Sequence, residues 1–246
     1  MFPLQTSIPV RHVPVVTWLL VGINCLVFFL EVSLPEEARQ QMVYLFGIVP
    51  ARYTHPDWAM RVGFPIDSYW PYLTSMFLHG GWLHLIGNMW TLVVFGRNLE
   101  DEMGSLRYFI FYLLCGIASG VVHTVVNADS IVPAIGASGA IAGVMGAYLV
   151  RFPHSRVVVM IPFLFFPFFF DFLAVFYLGY WFLLQLFSGM FAVTSAYGDS
   201  GIAFWAHIGG FLAGMTLLPF FHAARPRRRP CQPDEDCHAQ AWASMI

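Results

Sequence analysis

What most restricts the fold of this chain is its succession of long apolar runs separated by short polar stretches. A helix needs about 20 residues to cross a hydrocarbon core of about 30 Å, and several runs reach that length. Only 11% of the residues are charged and 58% are hydrophobic, about half the charged fraction of an ordinary soluble domain. The composition thus points to an all-α, polytopic membrane protein. A net charge of -2 creates no field that would draw nucleic acid as a partner. All twelve basic side chains are arginine, so no lysine is available for Schiff-base chemistry.

Six spans are expected. They cover about Val13 to Leu34, Leu73 to Phe95, Leu106 to Val126, Ile135 to Val150, Phe172 to Ala192 and Ile202 to Phe221. A long loop from Pro35 to Trp70 follows the first span, which is too long for a signal-peptide core and reads as retained. The fourth span is short, at roughly 24 Å for about sixteen residues, so one of its ends should lie below the membrane surface. Ser138 sits near that end, where "DSIVP" offers a helix-starting proline and unpaired backbone N–H groups gather. The apolar stretch from Val157 to Phe191 would make a helix of about 52 Å, too long for one crossing. Its break points are Pro162, Pro167 and Asp171, and "VVVMIPFLFFPFFF" is expected at the interface.

Arginine placement orients the spans. With the N-terminus inside, Arg11, Arg97, Arg107, Arg151, Arg156, Arg225, Arg227, Arg228 and Arg229 fall inside, and Arg39, Arg52 and Arg61 fall in the outer loop. The positive-inside rule then puts both termini in the cytoplasm. It also brings the starts of the fourth and sixth spans to the outer face. Residues 1–222 form the membrane domain on this reading, and 223–246 form a short polar tail. The expected location is a bacterial inner membrane. Cys231, Cys237 and His238 in the tail offer only a weak zinc signal, since their spacing matches no common pattern.

Polar side chains inside spans are costly and mark function by default. His84 and Asn88 are four apart and share a helix face, with Gly87 leaving room beside them. In "AHIGGFLAGM", Gly210 and Gly214 allow a close helix approach, and Gly139, Gly143 and Gly146 offer the complementary surface. That packing would bring Ser138 to His207. A neutral histidine is the usual base for a serine nucleophile, and His84 with Asn88 are the right types to bind an oxyanion. Taken singly, each has a bland reading: the serine as a packing residue, the histidines as interhelical hydrogen bonders. Their coincidence in the outer half of three spans favours chemistry. No acidic residue is evidently placed to orient His207.

The segments "HGGWLHLIGNMW", "GRNLEDEMG", "GASGAIAGVMGAY" and "AHIGGFLAG" resemble, in order and spacing, the rhomboid intramembrane serine proteases. The resemblance implies a six-transmembrane-helix bundle with Ser138 as nucleophile and His207 as base. It implies His84, Asn88 and the Ser138 N–H as oxyanion donors, His79 in a supporting role, and Glu100 with Gly104 in a structural turn after the second span. The implied activity is cleavage of membrane-anchored substrates in or near their transmembrane segments, without cofactor or metal. Two positions depart from the family pattern. Pro71 replaces the arginine of a Trp-Arg pair, and Ala142 stands where some members stack a tyrosine on the catalytic histidine. The alternative reading is a proteolytically inactive rhomboid-like protein that binds membrane clients. A channel using the buried histidines is a third, weakened by the lack of an inverted repeat.

Overall fold

Ten helices and three strands follow one another in the computed structural model, which describes residues 1–65, 67–164, 166–194 and 203–221. The tail with Cys231, Cys237, His238 and its four arginines lies outside the described residues, as does the expected start of the sixth span at Ile202.

Strand β1 (Phe2–Thr6) precedes α1 (Val15–Ser33). The long loop after α1 then folds into α2 (Glu36–Phe46), α3 (Ala51–Thr54) and α4 (Pro56–Arg61). A short α5 (Pro71–Thr74) and a 3-10 turn (Ser75–Phe77) lead to α6 (Trp82–Met103). Next come α7 (Ser105–Val126) and α8 (Ser138–Arg151). Strands β2 (Arg156–Phe163) and β3 (Phe166–Leu173) then lead into α9 (Ala174–Thr194), and α10 (Phe204–Phe221) completes the described chain. Among the described residues, α1, α7, α9 up to Phe191, and α10 are long and apolar enough to cross a membrane.

Three expectations are corrected. The chain is mostly helical but not all-α, because the Phe-rich stretch forms an antiparallel hairpin running from the Arg156/Leu173 pair to the Phe163/Phe166 pair. β1 joins the other edge of β2, giving the order β1-β2-β3. The β-branched run Val157–Val159 favours a pleated strand. Pro162 lies past Met160, the last residue of β2 paired to β1, so its missing N–H interrupts no ladder on that side. The second span is not one helix from Leu73 either. It breaks at an extended Leu78, restarts after Gly80-Gly81 and runs on to Met103. The third correction concerns α8: its first helical residue is Ser138. Pro133 lies in a preceding extended segment, where Ala134 bridges to Ile48.

The extension of α6 is explained by three buried acids. Glu100 accepts from the Val16 and Thr17 N–H groups at 2.8 and 2.7 Å, and from the Thr17 and Ser105 hydroxyls at 2.8 and 2.7 Å. A carboxylate thus satisfies the open N-terminus of α1 and its dipole. Asp101 accepts from the Arg11 N–H at 2.9 Å and pairs with His12 at 2.5 Å, and Glu102 holds Arg151 at the end of α8. Gly104, at φ +83, then turns the chain into α7, which fits the turn expected at Glu100 and Gly104.

Helix α8 is the centre of the bundle, buried from Gly139 through Tyr148. Backbones of α8 and α10 touch. A Cβ added at Gly210 would overlap the Gly139 carbonyl, one at Gly214 the Gly143 carbonyl, and one at Gly146 the backbone of Phe211. This is the close approach expected of the glycine steps.

Candidate active site

Ser138 begins α8 and His207 lies one turn into α10, so the glycine contact between the two helices fixes their separation. His207 Nε2 is 2.8 Å from Ser138 Oγ. The other ring nitrogen, Nδ1, is 2.7 Å from Gln185 Oε1 on α9. An amide oxygen can only accept, so Nδ1 carries the proton and Nε2 presents a lone pair to the serine. That is the tautomer needed to take a proton from Oγ.

Helix α9 also supplies Trp181, four residues before Gln185 and on the same face. Its ring lies 5.9 Å from that of His207, tilted by 38°. Ala142 is fully buried in α8. The histidine therefore has a hydrogen-bond acceptor and an aromatic neighbour, both from α9. Gln185 and Trp181 escaped the sequence reading. The available signal was Gln185 itself, an amide inside the apolar run from Phe172 to Ala192.

The second polar group comes from α6. His84 and Asn88 face the loop before Ser138. A Cβ at Gly136 would meet His84 Nε2 at 2.7 Å and Asn88 Nδ2 at 3.5 Å. Gly136 has φ +122, a conformation closed to most side chains, and its N–H donates to the Ser75 carbonyl at 2.8 Å. A bare backbone at this point lets both side chains reach the start of α8. The open N–H groups of the first helical turn converge there as well.

His79 is not on the helix. It lies in the extended segment before α6, buried, where its Nε2 accepts from Asn88 Nδ2 at 3.0 Å. Its backbone N–H donates to Glu31 Oε2 at 3.1 Å. Glu31, buried on α1, is a second polar residue that the sequence reading did not single out. Ser138 lines a cavity of about 30 Å³ together with Ser119 and His123 of α7. Among the described residues no group of three or more His, Cys, Asp or Glu side chains could hold a metal ion.

The loop between α1 and α6 is held without an arginine at position 71. Pro71 is buried at the start of α5. The Thr74 hydroxyl donates to the Phe46 carbonyl at 2.7 Å, and the Tyr72 hydroxyl donates to Thr124 at 3.1 Å. Arg52, in that loop, is buried and donates to the carbonyls of Leu45 and Pro65.

Residues 67–224 match the sequence model of the Rhomboid domain, which covers more than half of the chain. RHOMBOID-like protein 6, mitochondrial, of Arabidopsis thaliana is 39% identical over 80 residues, 32% of this chain and 25% of that protein. RHOMBOID-like protein 5 of the same plant is 36% identical over 80 residues, 32% of this chain and 26% of that protein. The chain thus spans about a quarter of the length of these two relatives. The "Putative rhomboid protease YdcA" of Bacillus subtilis is 26% identical over 205 residues, 78% of this chain and 88% of that protein. The domain match and the membrane-length helices together make the chain an integral membrane protein of the rhomboid family.

Proposed function

We propose that this protein is an intramembrane serine endopeptidase acting on membrane-anchored substrates through a Ser138-His207 dyad. The observation that carries the proposal is the 2.8 Å approach of His207 Nε2 to Ser138 Oγ. As Oγ attacks the substrate carbonyl, His207 Nε2 takes its proton. The oxyanion forms next to the Ser138 N–H, His84 and Asn88, where preorganised donors of this kind are worth about 10²–10³ each in rate. The imidazolium then protonates the leaving amine, which departs and leaves an ester on Ser138. Water, deprotonated by the same nitrogen, hydrolyses that ester and regenerates the serine.

In this scheme Gln185 and His79 are positioning residues. Gln185 accepts from Nδ1–H and keeps the lone pair of His207 on Nε2. His79 occupies one hydrogen of the Asn88 amide, aiming the other toward the site. The substrate segment must be locally unwound, because a carbonyl inside an intact helix is shielded by its neighbours. Helix-breaking residues near the cleaved bond favour cutting for that reason.

In the same reading α1, α6, α7, α8, α9 and α10 are six membrane crossings. Residues 1–222 form one membrane domain followed by a polar tail, both termini are cytoplasmic, and the membrane is a bacterial inner membrane. The arginine distribution supports this orientation. The deciding experiment reconstitutes the protein in liposomes with a model transmembrane substrate. Wild type cleaves and Ser138→Ala does not; cleavage by Ser138→Ala at the wild-type rate sinks the mechanism. A fluorophosphonate probe labels Ser138 in an active enzyme and leaves an inactive client-binding protein unlabelled.

A further inference from the structure

The β2–β3 hairpin sits at the end of α8 away from Ser138, and it is apolar on both faces. In register, Phe168 and Phe170 share a face with Ile161 and Val159, and Phe169 shares the other with Met160. Phe168, Phe169 and Phe170 are 48, 60 and 45% exposed, and Phe163 and Phe166 are 64 and 71% exposed. An antiparallel sheet in water normally hides one face and shows a polar one. An apolar patch of this kind needs a cover.

Two features fix what the cover is. β3 passes directly from Leu173 into Ala174 of α9, a membrane-length helix whose Phe176, Leu183 and Phe187 are exposed. The apolar surface of the hairpin is therefore continuous with the lipid-facing side of a span. β3 is also an edge strand. Its outward N–H and C=O groups have no ladder partner among the described residues, and a bare strand edge is not tolerated in the hydrocarbon interior. The phenylalanines exclude water, and the open edge excludes the bilayer centre. Charge marks the root, where Arg156 and Asp171 are both exposed. The five residue-to-residue steps from Asp171 to Phe166 span about 17 Å.

We infer that this hairpin is a lipid-docking element, seated with its phenylalanines at the headgroup–acyl boundary of the leaflet opposite the Ser138 end. The depth appropriate to such a seat is about 5–10 Å. Membrane integration of the chain is the only premise, so the inference stands or falls separately from the protease reading.

The test is spin-label power saturation in phosphatidylcholine–phosphatidylglycerol vesicles, using the full chain. Cys25, Cys231 and Cys237 are replaced by serine and the buried Cys115 is left in place. Labels are put at Phe166→Cys, Phe169→Cys and, as the aqueous control, Arg156→Cys. The expected result is oxygen access at the two phenylalanine sites, with access to a water-soluble nickel chelate severalfold lower than at Arg156→Cys. Chelate access equal to the control at both sites overturns the inference by placing the hairpin in water. Exclusion of both oxygen and chelate, with dipolar broadening between labels on different molecules, overturns it in favour of a second copy paired along β3.

Discussion

Gln185 is the residue whose replacement most sharply tests the proposed chemistry. In the resting enzyme its oxygen accepts from a neutral imidazole at 2.7 Å, a bond worth about 1 kcal/mol net. When His207 takes the serine proton the same bond becomes charge-assisted and is worth about 2 kcal/mol. Only the difference, about 1 kcal/mol, bears on the barrier, which corresponds to roughly fivefold in kcat. Gln185→Met keeps the length and packing but removes the acceptor. Because Trp181 still confines the ring, the loss should stay near that figure. It should appear equally in kcat and kcat/KM, leaving KM unchanged, since the lost increment exists only in the transition state. Gln185→Glu gives the complementary signature. A carboxylate beside Nδ1 favours the protonated imidazole, so the acid limb of the pH–rate profile moves to higher pH. Both variants are assayed in vesicles with a fluorogenic transmembrane substrate, with thermal melting in detergent as the folding check. A Gln185→Met enzyme with wild-type kcat, or one whose whole defect lies in KM, would refute the positioning role.

Gly136→Ala should reduce kcat by about 10–10³-fold, because the new methyl displaces His84 and Asn88 from the proposed oxyanion site and the residue loses its positive φ; steady-state rates on the same substrate check it. Gly146→Ala forces a methyl into the backbone of Phe211 and should cost about 1–3 kcal/mol of stability, read as a lower melting temperature. Gly87→Ala meets nothing within 4 Å and should be neutral or stabilising by about 0.5–1 kcal/mol in the same melt. Glu100→Ala leaves two N–H groups of α1 and two hydroxyls without their acceptor, and a loss of about 2–4 kcal/mol is expected in unfolding titrations.

Where an apolar run is one uninterrupted helix its span was legible, because helix length and apolar content are what a crossing requires. The third, expected from Leu106 to Val126, is α7 from Ser105 to Val126. The meeting of Ser138 and His207 was legible too, since two glycine steps in two helices predict one contact. The hairpin was not. A segment apolar on both faces has no period to read, and its prolines, taken as breaks in a helix, lie opposite each other across a strand pair. Gln185 was hidden for a different reason. It is 22 residues from His207, and no local spacing rule joins an amide on one helix to a ring on the next.

These differences locate where the site is firm and where it can give. Backbone contact through glycines sets how closely α8 and α10 carry Ser138 and His207 toward each other. The ring angle of His207 is set by Gln185 and Trp181 from α9, a helix whose Phe176, Leu183 and Phe187 are exposed. Moving α9 would turn the imidazole without moving the serine. The missing aromatic at Ala142 therefore does more than remove a neighbour: it shifts control of the proposed base from the buried central helix to a peripheral one. A tyrosine restored by Ala142→Tyr should then make kcat less sensitive to Gln185→Met, if the fully buried site admits the larger ring. Equal sensitivity in both backgrounds, with both proteins folded by thermal melting, would show that α9 does not carry that control.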